Sequence, residues 1–389
     1  MATAAAAAAA SGIIKADVLI FGAGPGGLST AQALARQLYT AIVFSDHTSP
    51  SGAGFRNRLT KHMHNVPGWD HMDPAEFRAK ARADLLARYH TVEFRDVGIQ
   101  SVRQLASAPA PSAVILEADE EAEDAKGRNG AVDLAVDAST GSRGGVVQEE
   151  EQQQQHGKMR FEAVDANGVT YQSRRLVVAS GIRDVMPEEE IPGYTKLWGR
   201  TIYHCLFCHG FEERGHPSSA VLATGMLAGP HGAGVARMAA RLASTVNVYT
   251  NGDEAVGEQL RAELRDTTRF HVINDKIVRV DKDPNVEGDA GLLVTLAGGK
   301  VNKEGFMAHM PNAELNGPFV KDLGLKLTSG GWIDTGDPAM PIPQTSVPGV
   351  MAVGDCATMM KAVPTATYMG ACAAAGIAHD ITNEDDVAK

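Results

Sequence analysis

The sequence predicts an α/β protein made of two nucleotide-binding βαβ units, the smaller inserted in the larger, and three observations carry that prediction. From Ala16 the apolar run ADVLIF gives way to GAGPGG and then to apolar residues at helical spacing, which reads as strand, tight turn and helix. A second glycine-rich passage of this kind, AVLATGMLAGPHGAGVARMAARLA, begins at Ala220. The tail from Val347 supplies a strand, a loop and an Ala-rich helix, so the chain returns to the unit it began.

The opening MATAAAAAAA has no basic residue before its apolar stretch, so 1–12 reads as a frayed tail rather than a targeting peptide, and a cytoplasmic location is expected. Ala41 to Asp46 (AIVFSD) is apolar enough for a strand buried on both faces. TVEFRDVGIQSV and MRFEAVDANGVTY read as strands, the latter turned at Asn167-Gly168, a favoured hairpin dipeptide. Between them, 106–157 passes through EADEEAEDAKGRNG and QEEEQQQQ; a segment so polar cannot offset the entropy of ordering and is expected to be a disordered insertion. A strand from Arg175 to Ser180 ends at Gly181, and IPGYTKLWGRTIYHCLFCHG follows.

Composition narrows the function. The chain is 44% hydrophobic and 21% charged, the balance of globular domains, and no run reaches the roughly 20 apolar residues of a membrane span. A net charge of -11 argues against nucleic acid as a partner, because phosphate binding needs clustered positive charge. Four cysteines are too few to staple a secreted fold, so the pair at CxxC spacing points to redox or metal chemistry in a reducing compartment.

Two motifs carry the chemistry. Gly22-x-Gly24-x-x-Gly27, with Pro25 and Gly26 between, lies after a strand and opens a helix, where a backbone without Cβ atoms can turn sharply against a pyrophosphate. Asp46, 19 residues past Gly27, is placed to take ribose hydroxyls. The second motif is His204-Cys205-Leu206-Phe207-Cys208-His209-Gly210. Haem attachment would need export, and zinc would need two more ligands, which Cys356 and Cys372 supply poorly. A redox dithiol at a turn into a helix, with a histidine to move its proton, is favoured. Cys356 and Cys372 read as packing, Met359-Met360 and Val363-Pro364 as packing or pocket wall, and His231 as solvated. His62, His64 and His71 share one loop with no acidic residue at helix spacing, so no metal is assigned and a flavin contact is preferred.

In order, GAGPGG, HNVPGW (His64 to Trp69), VVASG, IPGYTKLWGRTIYHCLFCHG and TSVPGVMAVGDC resemble the low-molecular-weight thioredoxin reductases and their flavoprotein relatives. The resemblance implies two Rossmann-like, three-layer domains: an FAD domain at 13–188 and 313–389, and an inserted domain at 189–312 that carries the dithiol. It gives Gly22, Gly24 and Gly27 the FAD pyrophosphate, and Gly354 and Asp355 the phosphate and ribityl end. Ala179 to Gly181 would line the site, with Asn57, His62, Thr365 and Ala366 as weaker candidates by position. Homodimerisation is implied by the resemblance alone.

Two departures shape the expected activity. The second glycine turn is longer than an NADPH motif, Pro230 has no N–H to offer, and Asn251-Gly252-Asp253-Glu254 is acidic where a 2′-phosphate would need cations. His209 stands where thioredoxin reductases carry Asp. Together with HCLFCHG, these changes resemble the fungal thioredoxin-reductase-like dithiol oxidases that close the disulfide of gliotoxin-type toxins. That implies a small dithiol as substrate, molecular oxygen as acceptor with hydrogen peroxide as product, and a part in biosynthesis and self-protection. Cys205 would be the outer sulfur, Cys208 the inner one and His209 the base. The competing expectations are an NAD(P)H-dependent disulfide reductase and a flavin-containing binding protein without turnover.

Overall fold

The structure, a computed structural model, describes residues 12–46, 54–105, 158–337 and 339–387. The expected insertion at 106–157, and the tail up to residue 11, lie outside them. The larger unit begins with β1 (Ile14–Phe21), α1 (Pro25–Ala35) and β2 (Ala41–Phe44). It continues through α2 (Pro74–Arg88), β3 (Val92–Arg95), β4 (Ile99–Gln104), β5 (Phe161–Asp165) and β6 (Thr170–Val178). Leu19 and Phe21 of β1 enter one hydrophobic core, while Val18 and Ile20 enter another on the opposite face. This is the alternation of a central strand covered on both sides, and each such side chain contributes roughly 1.5–3 kcal/mol by leaving water.

Two strand expectations need correction. TVEFRDVGIQSV is two strands, because β3 pairs with β2 at one edge of the sheet and β4 pairs with β5 at the other. The chain crosses between them at 96–98, where Gly98 passes so near Asp46 that a Cβ would lie 2.7 Å from its carboxylate. The separate strand expected from Arg175 is the second half of β6. That strand runs on beyond the hairpin because β1 pairs with it from Tyr171 to Val178.

The smaller unit is entered through β7 (Ile182–Asp184), α3 (Tyr194–Leu197), β8 (Ile202–Tyr203) and α4 (Leu206–His209). Its βαβ core is β9 (His216–Leu222), α5 (Pro230–Ala239), β10 (Ala243–Tyr249), α6 (Glu254–Glu263) and β11 (Phe270–Ile273). β12 (Ile277–Lys282), β13 (Leu292–Leu296) and β14 (Val301–Glu304) form an antiparallel sheet. β15 (Met307–Ala308) then joins the parallel sheet, whose order is β11-β10-β9-β15-β8. One apolar core lies between the two sheets and another under α5 and α6, giving three layers.

The chain returns through β16 (Ala313–Leu315), which pairs antiparallel with β7. α7 (Phe319–Leu323), β17 (Val350–Ala352) and α8 (Val363–Val387) complete the larger unit. β17 pairs parallel with the end of β6, and α8 packs along α1. The helices touch at glycines: a Cβ on Gly370 would lie 2.3 Å from the Gly26 carbonyl oxygen. Gly370→Ala is therefore expected to cost about 1–3 kcal/mol through forced separation of the helices, read as a lower urea midpoint at unchanged slope.

Candidate functional site

The C-terminal ends of β1, β2, β6 and β17 converge on one cavity of about 290 Å³. That is where an open parallel sheet binds its ligand, beyond the strand ends. Gly22, Gly24, Pro25 and Gly26 form its glycine wall, and Asp46 lies on the wall at the end of β2. Gly22 has φ +124°, and a Cβ there would sit 2.2 Å from the Ala179 carbonyl oxygen. Gly27 is not on the wall; a Cβ on it would lie 1.9 Å from the Gly22 carbonyl oxygen, so it closes the turn instead. No side chain caps α1 and no acidic residue occupies its first turn, so its N–H groups are free to meet an anion. A glycine-rich turn, an uncapped helix start and an acidic residue after β2 fit a dinucleotide.

Asn57, His62, Ala179, Gly181, Gly354, Asp355 and Ala366 also reach the wall. Thr365 does not, because on the first turn of α8 it is Ala362, Val363 and Ala366 that face the cavity. Sequence reasoning missed Arg56 and Lys361, which line it, and left His204 of the dithiol motif without a role, although it lines the cavity too. Arg56 grips Asp184 through Nε (2.9 Å) and Nη2 (2.8 Å) and lies 3.6 Å from Asp355. Burial opposes the Arg56 charge, but hydrogen bonding and attraction to Asp184 outweigh it and hold its pKa up. Burial pushes the Asp355 carboxyl above its ordinary range, against the pull of Arg56 and Lys361. Lys361 donates to the carbonyls of Asp355 (2.9 Å) and Thr358 (2.6 Å), and burial lowers its pKa. No spacing rule connects these cations to the glycine turn; only the fold does.

Cys205 and Cys208 form a disulfide, with Cα atoms 5.3 Å apart and Cys205 at the start of α4. Cys208 and His209 line the cavity, and Cys205 is not among its lining residues. The two sulfurs thus have different surroundings. The His209 ring stacks on Tyr203 at 4.8 Å, and the Tyr203 hydroxyl donates to buried Glu213 at 2.8 Å. Burial, and then the neighbouring His64, bring the His209 pKa down to about 4, so the imidazole is neutral at pH 7. The loop before α2 holds the dithiol turn from the other side: Asn65 Nδ2 donates to the Phe207 carbonyl (2.9 Å) and His64 Nδ1 pairs with that of Cys208.

The remaining candidates sort by burial. Cys356 is fully buried with its Sγ toward the carbonyls of Val178 (3.5 Å) and Val353 (3.3 Å), and burial pushes its thiol up to about 11, which suits packing and not redox work. Met359 and Met360 are 61% and 69% exposed, so the packing expected of them is overturned. In the second βα turn Pro230 is the first residue of α5, and the Asp253 carboxylate caps α6 through the Val256 N–H (3.0 Å). Among the described residues no helix is long and apolar enough to cross a membrane.

A model of the family described as "Pyridine nucleotide-disulphide oxidoreductase" matches residues 16–370. The chain belongs to that family. Such oxidoreductases are flavoproteins. Within the family, the chain is 33% identical to thioredoxin reductase aclD of Aspergillus oryzae, over 95% of this chain and 97% of that protein. It is 30% identical to thioredoxin reductase sirT of Leptosphaeria maculans, over 96% of each. Among solved structures, HlmI superposes with a TM-score of 0.71 at 25% identity, covering 97% of both chains. The thioredoxin reductase TrxB of Bacillus anthracis shares the fold at a TM-score of 0.68 and 19% identity, covering 95% of this chain and 99% of that one. The chain is thus a thioredoxin-reductase-like oxidoreductase, with the α/β architecture expected from its glycine turns.

Proposed function

We propose that this protein is an FAD-dependent dithiol oxidase that closes an intramolecular disulfide in a small sulfur-containing metabolite of the epidithiodioxopiperazine type. The observation that carries the reading is His209: a neutral imidazole next to the disulfide, on the wall of the cavity that the glycine turn also lines. A dithiol donor must lose two protons, and a neutral base at the disulfide accepts the first. His209 takes the proton of the first substrate thiol, and the thiolate attacks Cys205 Sγ, breaking the Cys205–Cys208 bond and leaving Cys208 as thiolate. The second substrate thiol attacks the mixed disulfide and its proton passes to the departing Cys205 sulfur, so the substrate gains its S–S bond and Cys205 leaves as thiol. Two electrons and two protons have then passed to the enzyme. Bound FAD would supply the route by which the electron pair reaches oxygen as hydrogen peroxide. Cys208, on the cavity wall, is the sulfur from which the pair would leave, and the first turn of α1 would hold the pyrophosphate and Asp46 the ribose.

The turn after β10 bears on the direction of flow: Asn251-Gly252-Asp253-Glu254 holds no cation for a 2′-phosphate, and the Asp253 carboxylate is engaged in capping α6. An anaerobic titration of the flavin-loaded protein tests the reading. A small dithiol is expected to bleach the flavin at about one equivalent, with air restoring the colour and releasing peroxide, while NADPH and NADH leave it yellow. Bleaching by either nicotinamide at stoichiometric amounts would instead make the protein a disulfide reductase.

A further inference from the structure

Three side chains meet beside the disulfide without a part in the reaction above. His64 and His71 come from the loop between β2 and α2, and Glu212 from the turn after α4 in the smaller unit. The sequence placed no acidic residue at helix spacing from these histidines; the fold brings one from about 140 residues away. Their donor atoms form a triangle. His64 Nε2 is 3.1 Å from His71 Nδ1 and 3.4 Å from Glu212 Oε1, and the third edge, His71 Nδ1 to Glu212 Oε1, is 3.8 Å. An ion holding nitrogen and oxygen donors tetrahedrally at about 2.0–2.1 Å requires donor separations of about 3.3–3.4 Å, which these edges bracket.

The surroundings orient the donors as a metal requires. His64 Nδ1–H donates to the Cys208 carbonyl, which turns the Nε2 edge of the ring toward the triangle. The His71 ring stacks on His62 with centroids 3.9 Å apart and planes 15° from parallel. Its backbone is held at φ +61° by an N–H bond to the Met63 carbonyl (2.8 Å). A proton can join two of the three donors at a time, whereas a metal ion joins all three.

We propose that His64, His71 and Glu212 form a binding site for a divalent cation of the zinc class, with a fourth position left to water. Because its ligands come from both units, the ion would tie the dithiol turn to the loop of the larger unit and hold Cys208 at the cavity.

The test uses the oxidised, flavin-loaded full chain, so that free thiols do not compete, stripped with a chelator and titrated calorimetrically with zinc chloride. One zinc per chain with a Kd of about 10 µM or tighter is expected. Glu212→Gln and His71→Asn should each weaken it at least roughly 10- to 100-fold, and Asn tolerates the left-handed backbone at position 71. Circular dichroism and flavin content show whether each variant is folded. The wild-type titration stands alone: no uptake by the oxidised protein overturns the proposal, whichever compound donates electrons. Uptake that is unchanged in both folded variants, or that occurs only after reduction of the dithiol, overturns it equally.

Discussion

Cys208→Ser is expected to abolish flavin bleaching by a dithiol, and so is Cys205→Ser, but the thiol left behind should behave differently in the two variants. Without the disulfide neither protein can accept an electron pair from the substrate, so turnover falls to background. Cys208 lines the cavity and Cys205 does not, so flavin loading should shield one sulfur and not the other. With cofactor bound, iodoacetamide is expected to alkylate Cys205 in Cys208→Ser at least about tenfold faster than Cys208 in Cys205→Ser, following access to the thiolate. Equal rates, measured by mass spectrometry over a time course, would remove the assignment of outer and inner sulfur.

His209→Ala is expected to slow anaerobic bleaching about 10²- to 10⁴-fold, the usual worth of a placed general base, with partial recovery in added imidazole. The pH profiles separate this from mere loss of packing against Tyr203. The base must be neutral, and burial holds its pKa near 4 in the disulfide form. The wild-type rate should therefore persist well below pH 6.5 and fall only as the pH drops through about 4. In the variant, only substrate that is already ionised reacts, so the rate should climb about tenfold per pH unit below the thiol pKa of about 8–9. A base with so low a pKa is a weak proton acceptor at first. Its basicity rises once a cysteine thiolate forms beside it, since an opposite charge at short range favours the imidazolium.

Much of this was legible in the sequence because it is local. The glycine turn, the Asn167-Gly168 hairpin and the dithiol followed by histidine each depend on neighbours within a few residues, where spacing and backbone freedom decide the outcome. Arg56, Lys361 and Glu212 were not legible as parts of one site, because their neighbours are set by which strand ends and loops the topology brings together. The same holds for Thr365, where helix phase decided which side of α8 met the cavity. Gly27 belongs to the motif the spacing picks out but not to the ligand wall, since it lets a strand and a helix approach each other. Reading TVEFRDVGIQSV as a single strand failed for a tertiary reason too, since both halves have strand composition and only their partners at opposite sheet edges separate them.

The pairing of β7 with β16 has a consequence for how the molecule is assembled. Asp184 lies opposite Ala313, so the segment between them leaves and rejoins the larger unit at adjacent points. Such a segment is a cassette: bridging its two ends with a short turn would close the larger unit's chain without stretching any strand. The sheet of β1, β2, β6 and β17 can then form before, after or without the cassette, and a cassette with another reactive centre could be spliced onto the same two-stranded seam.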